Sequence, residues 1–309
     1  MRAVAITLAL ACSLMGCRKK AGEAGPGLGG GWMVGERGLM LNVHPDGTLS
    51  DYDLEIGDDL LDIACRGSDS AFVVGTRGAF LRTFDGGAEW ESVELGTRGT
   101  LRSVAAASRE FVVVAGDEGL FLSADSGTTW STLATGSFAS VAIDQSGDVI
   151  MALDRGGTVW REDRSAALRP VFASAGAVAL AMNATGERAA ILVPGRTMWI
   201  TDSGGAAWHP LELGGSYELR DAWISPAGEV HAVGAHGVVL HVDGLRRVSV
   251  QRPVRADLEA VHLAGSGVGY AAGADGRVLQ TLDDGVTWTP IARAAPQRVL
   301  GVDQIYPAY

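Results

Sequence analysis

Three aspartates in this 309-residue chain open the same short phrase. Asp85, Asp125 and Asp283 each stand two residues after a Ser or Thr, two before a Gly, and five before Trp90, Trp130 and Trp288. Thr201–Trp208 reads as a degenerate copy, with Asp202 as its acid and one extra residue before Trp208. Asp-x-Gly is also how a calcium loop begins, so cation binding is the first chemistry to consider. The remaining oxygen ligands of the twelve-residue calcium pattern are missing. A carboxylate at the head of a tight hairpin has another use, accepting hydrogen bonds from the backbone N–H groups that follow. The glycine suits the positive φ of such a hairpin, and the tryptophan supplies a large apolar surface to bury between sheets. These Asp and Trp residues are therefore expected to be structural, with no catalytic role.

Histidine and cysteine offer little else. Six histidines show no i, i+4 helical pair. His231, His236 and His241 are five apart, which spreads them across a hairpin, so no shared metal is expected. The Gly-rich turns lack the Lys-Ser/Thr and the helix of a phosphate loop, and no cofactor is expected. Of Cys12, Cys17 and Cys65, the first lies in an apolar N-terminal run, leaving too few for a disulfide framework. Cys65 reads as a small buried hydrophobe.

The elements that carry these residues repeat. Phe72–Trp90, Val112–Trp130 and Tyr270–Trp288 each hold an apolar run, a Gly-x-x-Gly turn, a second run, an Asp-Gly turn and the Trp. The second glycine of the first turn falls at Gly38, Gly78, Gly119, Gly237 and Gly276, with weaker equivalents at Gly156 and Gly195. Each unit of about 40 residues offers four short apolar runs parted by turn residues, and none has the two glycine-free runs that a helical repeat needs. This predicts an all-β fold: a single seven-bladed β-propeller with four antiparallel strands per blade. The unit near Trp32 lacks a first strand, while Val299-Leu300-Gly301-Val302 echoes Leu101-Arg102-Ser103-Val104. The C-terminal segment, residues 298–309, is expected to close the ring and cover its open edges. Units one, four and six keep turn residues but lose the Trp, which is tolerable if each box staples only its own blade.

Strand alternation places the second-to-third turns and the blade-to-blade connections on one face, opposite the Asp-Gly-Trp turns. Arg37, Arg77, Arg155, Arg196 and His236 fall on the first face, and Arg98, Arg102, Arg220, Arg252, Arg255 and Arg298 lie in the nearby connections. A guanidinium pairs bidentately with carboxylate or phosphate. The five turn residues form the candidate binding face for a protein or peptide; the alternative is a solvated rim of mixed charge. A formal net charge of −11 gives no case for nucleic-acid binding.

Several stretches carry a resemblance. The Ser/Thr-x-Asp-x-Gly-x-x-Trp phrase resembles the Asp-box of BNR-repeat propellers. With its preceding Gly-x-x-Gly, it is similar to the propeller of photosystem II assembly and stability factors and their non-photosynthetic bacterial relatives. That likeness covers residues 31–309 and implies assembly help for a membrane complex. BNR sialidases imply a different use, with an arginine triad, a Tyr nucleophile and an early aromatic-Arg-aliphatic-Pro motif. Here the Arg-Pro pairs, Arg169-Pro170 and Arg252-Pro253, are mid-chain, and none of the tyrosines pairs with a Glu. The N-terminus resembles a bacterial lipoprotein signal: Arg2, an apolar run too short to span a bilayer, then Leu14-Met15-Gly16-Cys17. This implies a signal over residues 1–16, a lipid on Cys17, a Gly-rich tether to residue 30 and a propeller over 31–309.

The sequence thus leads to a non-enzymatic envelope lipoprotein, exported and lipid-anchored to a bacterial membrane. It is expected as a monomeric propeller serving as a protein-interaction or assembly scaffold. A BNR-type glycan-binding protein or glycoside hydrolase is the alternative.

Overall fold

A computed structural model describes residues 17–18, 30–44, 46–52, 54–163, 166–264, 267–293 and 297–304. The expected signal segment, most of the tether, and the tail beyond 304 with Tyr306 and Tyr309 lie outside the described residues. Seven antiparallel sheets form seven blades. Blade 2 shows the pattern, with strands Leu60–Arg66, Ser70–Gly75, Phe80–Thr83 and Glu89–Ser92 from the axis outward. Blades 3 to 7 follow over 101–135, 138–173, 179–217, 219–251 and 258–293. Cys17–Arg18 adds a short strand outside blade 2, with Cys17 opposite Trp90. Among the described residues no helix is long and apolar enough to cross a membrane.

Blade 1 is built from both ends of the chain. Its innermost strand is Val299–Gln304, paired antiparallel with Gly31–Gly35 from Val299 opposite Gly35 to Gln304 opposite Gly31. The strands Met40–Val43 and Leu49–Tyr52 complete it. The C-terminal strand therefore closes the ring.

The second strands explain the unbroken apolar runs. Ser70–Gly75, Val112–Gly116 and Val230–Gly234 are buried along their whole length, because a neighbouring blade covers each face. Both glycines of the repeated turn have steric reasons. In blade 2 a Cβ on Gly75 would stand 2.2 Å from the Asp59 carbonyl oxygen, and one on Gly78 would stand 2.2 Å from that of Thr97. Gly78 also needs its φ of +76°. In blade 4 this second position is held by Gly157, not Gly156: Gly157 has φ +89° and presses on the Ser174 carbonyl.

Polar side chains on the innermost strands tie neighbouring blades at most junctions of the ring. Asp303 accepts from the Cys65 amide at 2.6 Å, Asp62 from Val104 at 2.9 Å, and Asp221 from Val261 at 2.8 Å. Ser103 accepts from Val141, and the Ser140 hydroxyl donates to the Leu180 carbonyl. Burial pushes Asp62 up to about 7, with the charge of Asp221 adding to it, and burial pushes Asp221 up to about 6. Asp303 instead pairs with His262 at 3.0 Å. Cys65 is buried and free, and burial pushes its thiol up.

Candidate binding face

The Gly-x-x-Gly turns present their second residue in an unusual conformation. Arg37, Arg77, His236 and Asp275 have φ of 55°, 54°, 58° and 65°. Each precedes a glycine that also has positive φ, and the Leu39, Ala79 and Val238 amides close the first three turns onto Glu36, Thr76 and Ala235. This is the type I′ geometry, which favours Asn, Asp or Gly. Asp275 suits it, whereas Arg and His carry a cost of about 1–2 kcal/mol each. The strained amides are held by carboxylates from the next connection: Arg37 N–H donates to Asp59 at 2.9 Å, and His236 N–H to Asp257 at 2.8 Å. The His236 amide, and then the Arg220 guanidinium, hold Asp257 below the usual carboxylate range. These residues combine a costly backbone conformation with exposed basic side chains, which makes this face the candidate binding face.

All five residues proposed from sequence are exposed on this face, but they do not form one basic field. Arg77 pairs with Asp58 at 2.5 Å, and Arg155 approaches Asp117 at 3.8 Å beside the tighter Arg102–Asp117 pair at 2.9 Å. Arg220 contacts Asp257 and Glu259, and Arg298 contacts Glu259 and Glu36. Arg37 and Arg196 make no side-chain ion pair among the described residues. The surface is an alternating ring of arginines and carboxylates, with uncommitted cations at intervals.

One concavity lies between blades 5 and 6. A pocket of about 410 Å³ is lined by Pro194, Gly195, Ser216–Glu218, Ala235, His236, Val238 and Arg252. The Arg252 guanidinium sits 5.8 Å from the centre of the Tyr217 ring. His236 is thus brought together with Arg252, which the sequence had placed in a connection, and with Tyr217, which it had not singled out. The usable signal was an aromatic residue in the blade connection beside the Ala235-His236 turn. Arg37 and Arg77 are turns of blades 1 and 2, Arg155 of blade 4, and Arg196 follows Gly195 at the pocket edge.

The Asp-boxes occupy the opposite face. In blade 3 the Ser123 hydroxyl donates to Asp125, which also accepts the Thr128 and Thr129 amides and, at 2.6 Å, the Thr129 hydroxyl. These bonds, led by the Thr129 hydroxyl, hold Asp125 down to about 2. Blades 2 and 7 repeat the network around Asp85 and Asp283. Asp202 is not the box residue of blade 5. Ser203 takes that position and accepts the Ala207 amide, while Asp202 turns outward to Arg188 and Arg246. The spacing to Trp208 is then regular, with no extra residue. The boxes also join blades. Trp90 packs edge-on against Trp32 of blade 1 at 5.4 Å, Trp130 against Phe80 of blade 2 at 5.1 Å, and Trp208 stacks on Phe172 of blade 4 at 5.2 Å. Trp288 is buried against blade 6 through Val233 and Val239.

Solved structures share the architecture. A structure described as YCF48 bound to D1 peptide superposes with a TM-score of 0.64 at 18% identity, covering 81% of this chain and 93% of that one. YCF48 from Cyanidioschyzon merolae gives 0.67 at 20% identity, covering 83% and 92%. The GH74 enzyme of Niastella koreensis gives 0.61 at 14% identity, and the match spans 86% of this chain but 46% of the enzyme. No curated protein matches the chain. The family model described as photosynthesis system II assembly factor YCF48 matches residues 41–290, and this chain belongs to that family.

Proposed function

We propose that this chain is a non-enzymatic interaction propeller that holds a peptide segment of a partner protein across the face of the Gly-x-x-Gly turns. The observation that carries this reading is the pocket between blades 5 and 6. There an aromatic ring, a guanidinium and an outward-held imidazole line one concavity. Tyr217 offers an apolar wall, and Arg252 with His236 offers donors to a peptide carboxylate or carbonyl. A family relative solved with a D1 peptide supports the same class of ligand. The pocket lining contains one carboxylate, Glu218, whereas most glycoside hydrolases work with two flanking the scissile bond. Its chemistry favours holding over cleaving.

The test is crosslinking mass spectrometry in native membranes, followed by binding of the captured segment as a synthetic peptide. His236→Asn keeps a residue suited to positive φ while removing the imidazole, and Arg252→Ala removes the guanidinium. Each should weaken peptide binding at least about tenfold with melting unchanged, the loss expected when a charge-assisted hydrogen bond is removed. Binding untouched by both, or turnover of a polysaccharide panel, would defeat the proposal. Anchoring through a lipid on Cys17 belongs to the same reading. It predicts a diacylglycerol-modified N-terminal peptide, and membrane release on Cys17→Ser; a soluble, unmodified wild type would remove it.

A further inference from the structure

We propose that Glu229, His231 and His241 form a zinc site in blade 6, on the Asp-box side of the propeller. His231 and His241 are cross-strand partners in register, so their side chains share one face of the sheet. Glu229 lies two residues before His231 and so joins that face. His236, evenly spaced between them in sequence, sits at the far end of the hairpin. The two imidazoles stack with ring centres 4.5 Å apart, and one ligand atom from each of the three residues lies within 4.8 Å of the others.

The polar atoms lack other uses. His231 is 1% exposed, and its Nδ1 has no hydrogen-bond partner. His241 Nε2 is also buried without one, 3.4 Å from a Glu229 carboxylate oxygen but outside hydrogen-bond geometry. A buried imidazole nitrogen left unpaired is costly, and a metal ion would satisfy it. Gly285 of blade 7 packs against the His231 ring, where a Cβ would stand 2.6 Å from Nδ1. Trp223 covers the group from the inner strand, its ring centre 5.9 Å from that of His231.

Two imidazoles and one carboxylate, with a fourth position open to water, are a zinc ligand set. Bonds of about 2.0–2.1 Å bring tetrahedral ligands to roughly 3.3 Å of one another.

The test is calorimetric titration of the chelator-treated full chain with zinc chloride, with thermal melting in parallel. One zinc per chain should bind and raise the melting temperature. His241→Asn and Glu229→Gln should each weaken binding at least about tenfold, since even indirect support of a ligand is worth that much. Glu229 is partly exposed, so its variant decides the matter if His241→Asn fails to fold. Absence of saturable binding, or binding that survives both substitutions, would overturn the proposal.

Discussion

Replacing Asp62 by Asn makes the buried carboxyl between blades 2 and 3 a measurable titration. Burial moves Asp62 from 3.8 up to about 7. Between those values the native chain holds a proton that the unfolded chain has released. The protein is therefore favoured below about pH 4, and this contribution is lost as pH rises toward 7. A shift of about three units is worth roughly 4 kcal/mol at 1.36 kcal/mol per unit. That is the upper end, because part of the residue stays open to solvent and its titration is shared with Asp221. Asn cannot ionise, and it disturbs the bonds from Ile63 and Val104 at every pH. The informative quantity is thus the stability difference between wild type and variant, followed from pH 4.5 to 8 by urea unfolding. Asp62→Asn should gain on the wild type by about 2–4 kcal/mol across that range. A constant difference would show that Asp62 is ionised throughout, and the reading of Asp62 as a protonated, buried acid would fall.

Other outcomes follow from the same contacts. Ending the chain at residue 297 removes the five-residue ladder against Gly31–Gly35, buried Val299 and Val302, and the Asp303–His262 pair. The loss is comparable with the whole ~5–15 kcal/mol stability of a domain, so cooperative melting should disappear. Gly87→Ala puts a Cβ 2.2 Å from the Trp32 ring at φ +87°; it should cost about 2–4 kcal/mol in urea unfolding from overpacking and strain. Ser203→Asp restores the acceptor that blades 2, 3 and 7 use, and should raise the melting temperature by an amount worth about 0.5–1.5 kcal/mol. Arg37→Asn with Arg77→Asn relieves two left-handed residues. Melting should hold or rise while peptide capture falls, and a fall in stability would refute the strain argument.

The boxes, the paired glycines and the missing first strand were legible because each is a local backbone requirement written in residue type. Gly78 must be glycine wherever it stands, and Val299–Val302 must look like the inner strand it replaces. Ser203 escaped because a hydroxyl can do the carboxylate's work there, and a neighbouring aspartate drew the eye. What the boxes join was harder to read. Trp130 on Phe80 is a contact between blades, and no periodicity within one unit announces it. The ion pairs of the arginine face escaped for a related reason. Arg220 meets Glu259 and Asp62 meets Val104 at separations of 39 and 42 residues, one repeat along the chain. Residues at equal height in adjacent blades touch in a ring of repeats. Shifting the sequence by one period therefore reveals carboxylates standing opposite the arginines, which reading each turn alone does not. The pocket between blades 5 and 6 depends on the depth of the Ser216–Glu218 connection, which spacing does not encode.

The two faces divide the work of the ring. In the boxes of blades 2, 3 and 7 the carboxylates of Asp85, Asp125 and Asp283 are filled by hydroxyl and amide donors of their own turns, and each box tryptophan is packed on the blade before it. A ligand would have to break these turns to compete for their aspartates. On the other side the pairs are exposed: the Arg77 side chain keeps 71% of its surface while touching Asp58. Such pairs contribute little to stability, and an incoming carboxylate can exchange for the resident one at small cost. The strained turns are likewise fixed at the backbone, by Asp59 under Arg37 and Asp257 under His236, which leaves the side chains free. Position is thus set by amide–carboxylate bonds, and on the proposed reading recognition is left to replaceable side chains. If these side chains do the binding as proposed, residues 37, 77, 196 and 236 can change with the partner without disturbing the boxes that hold the blades.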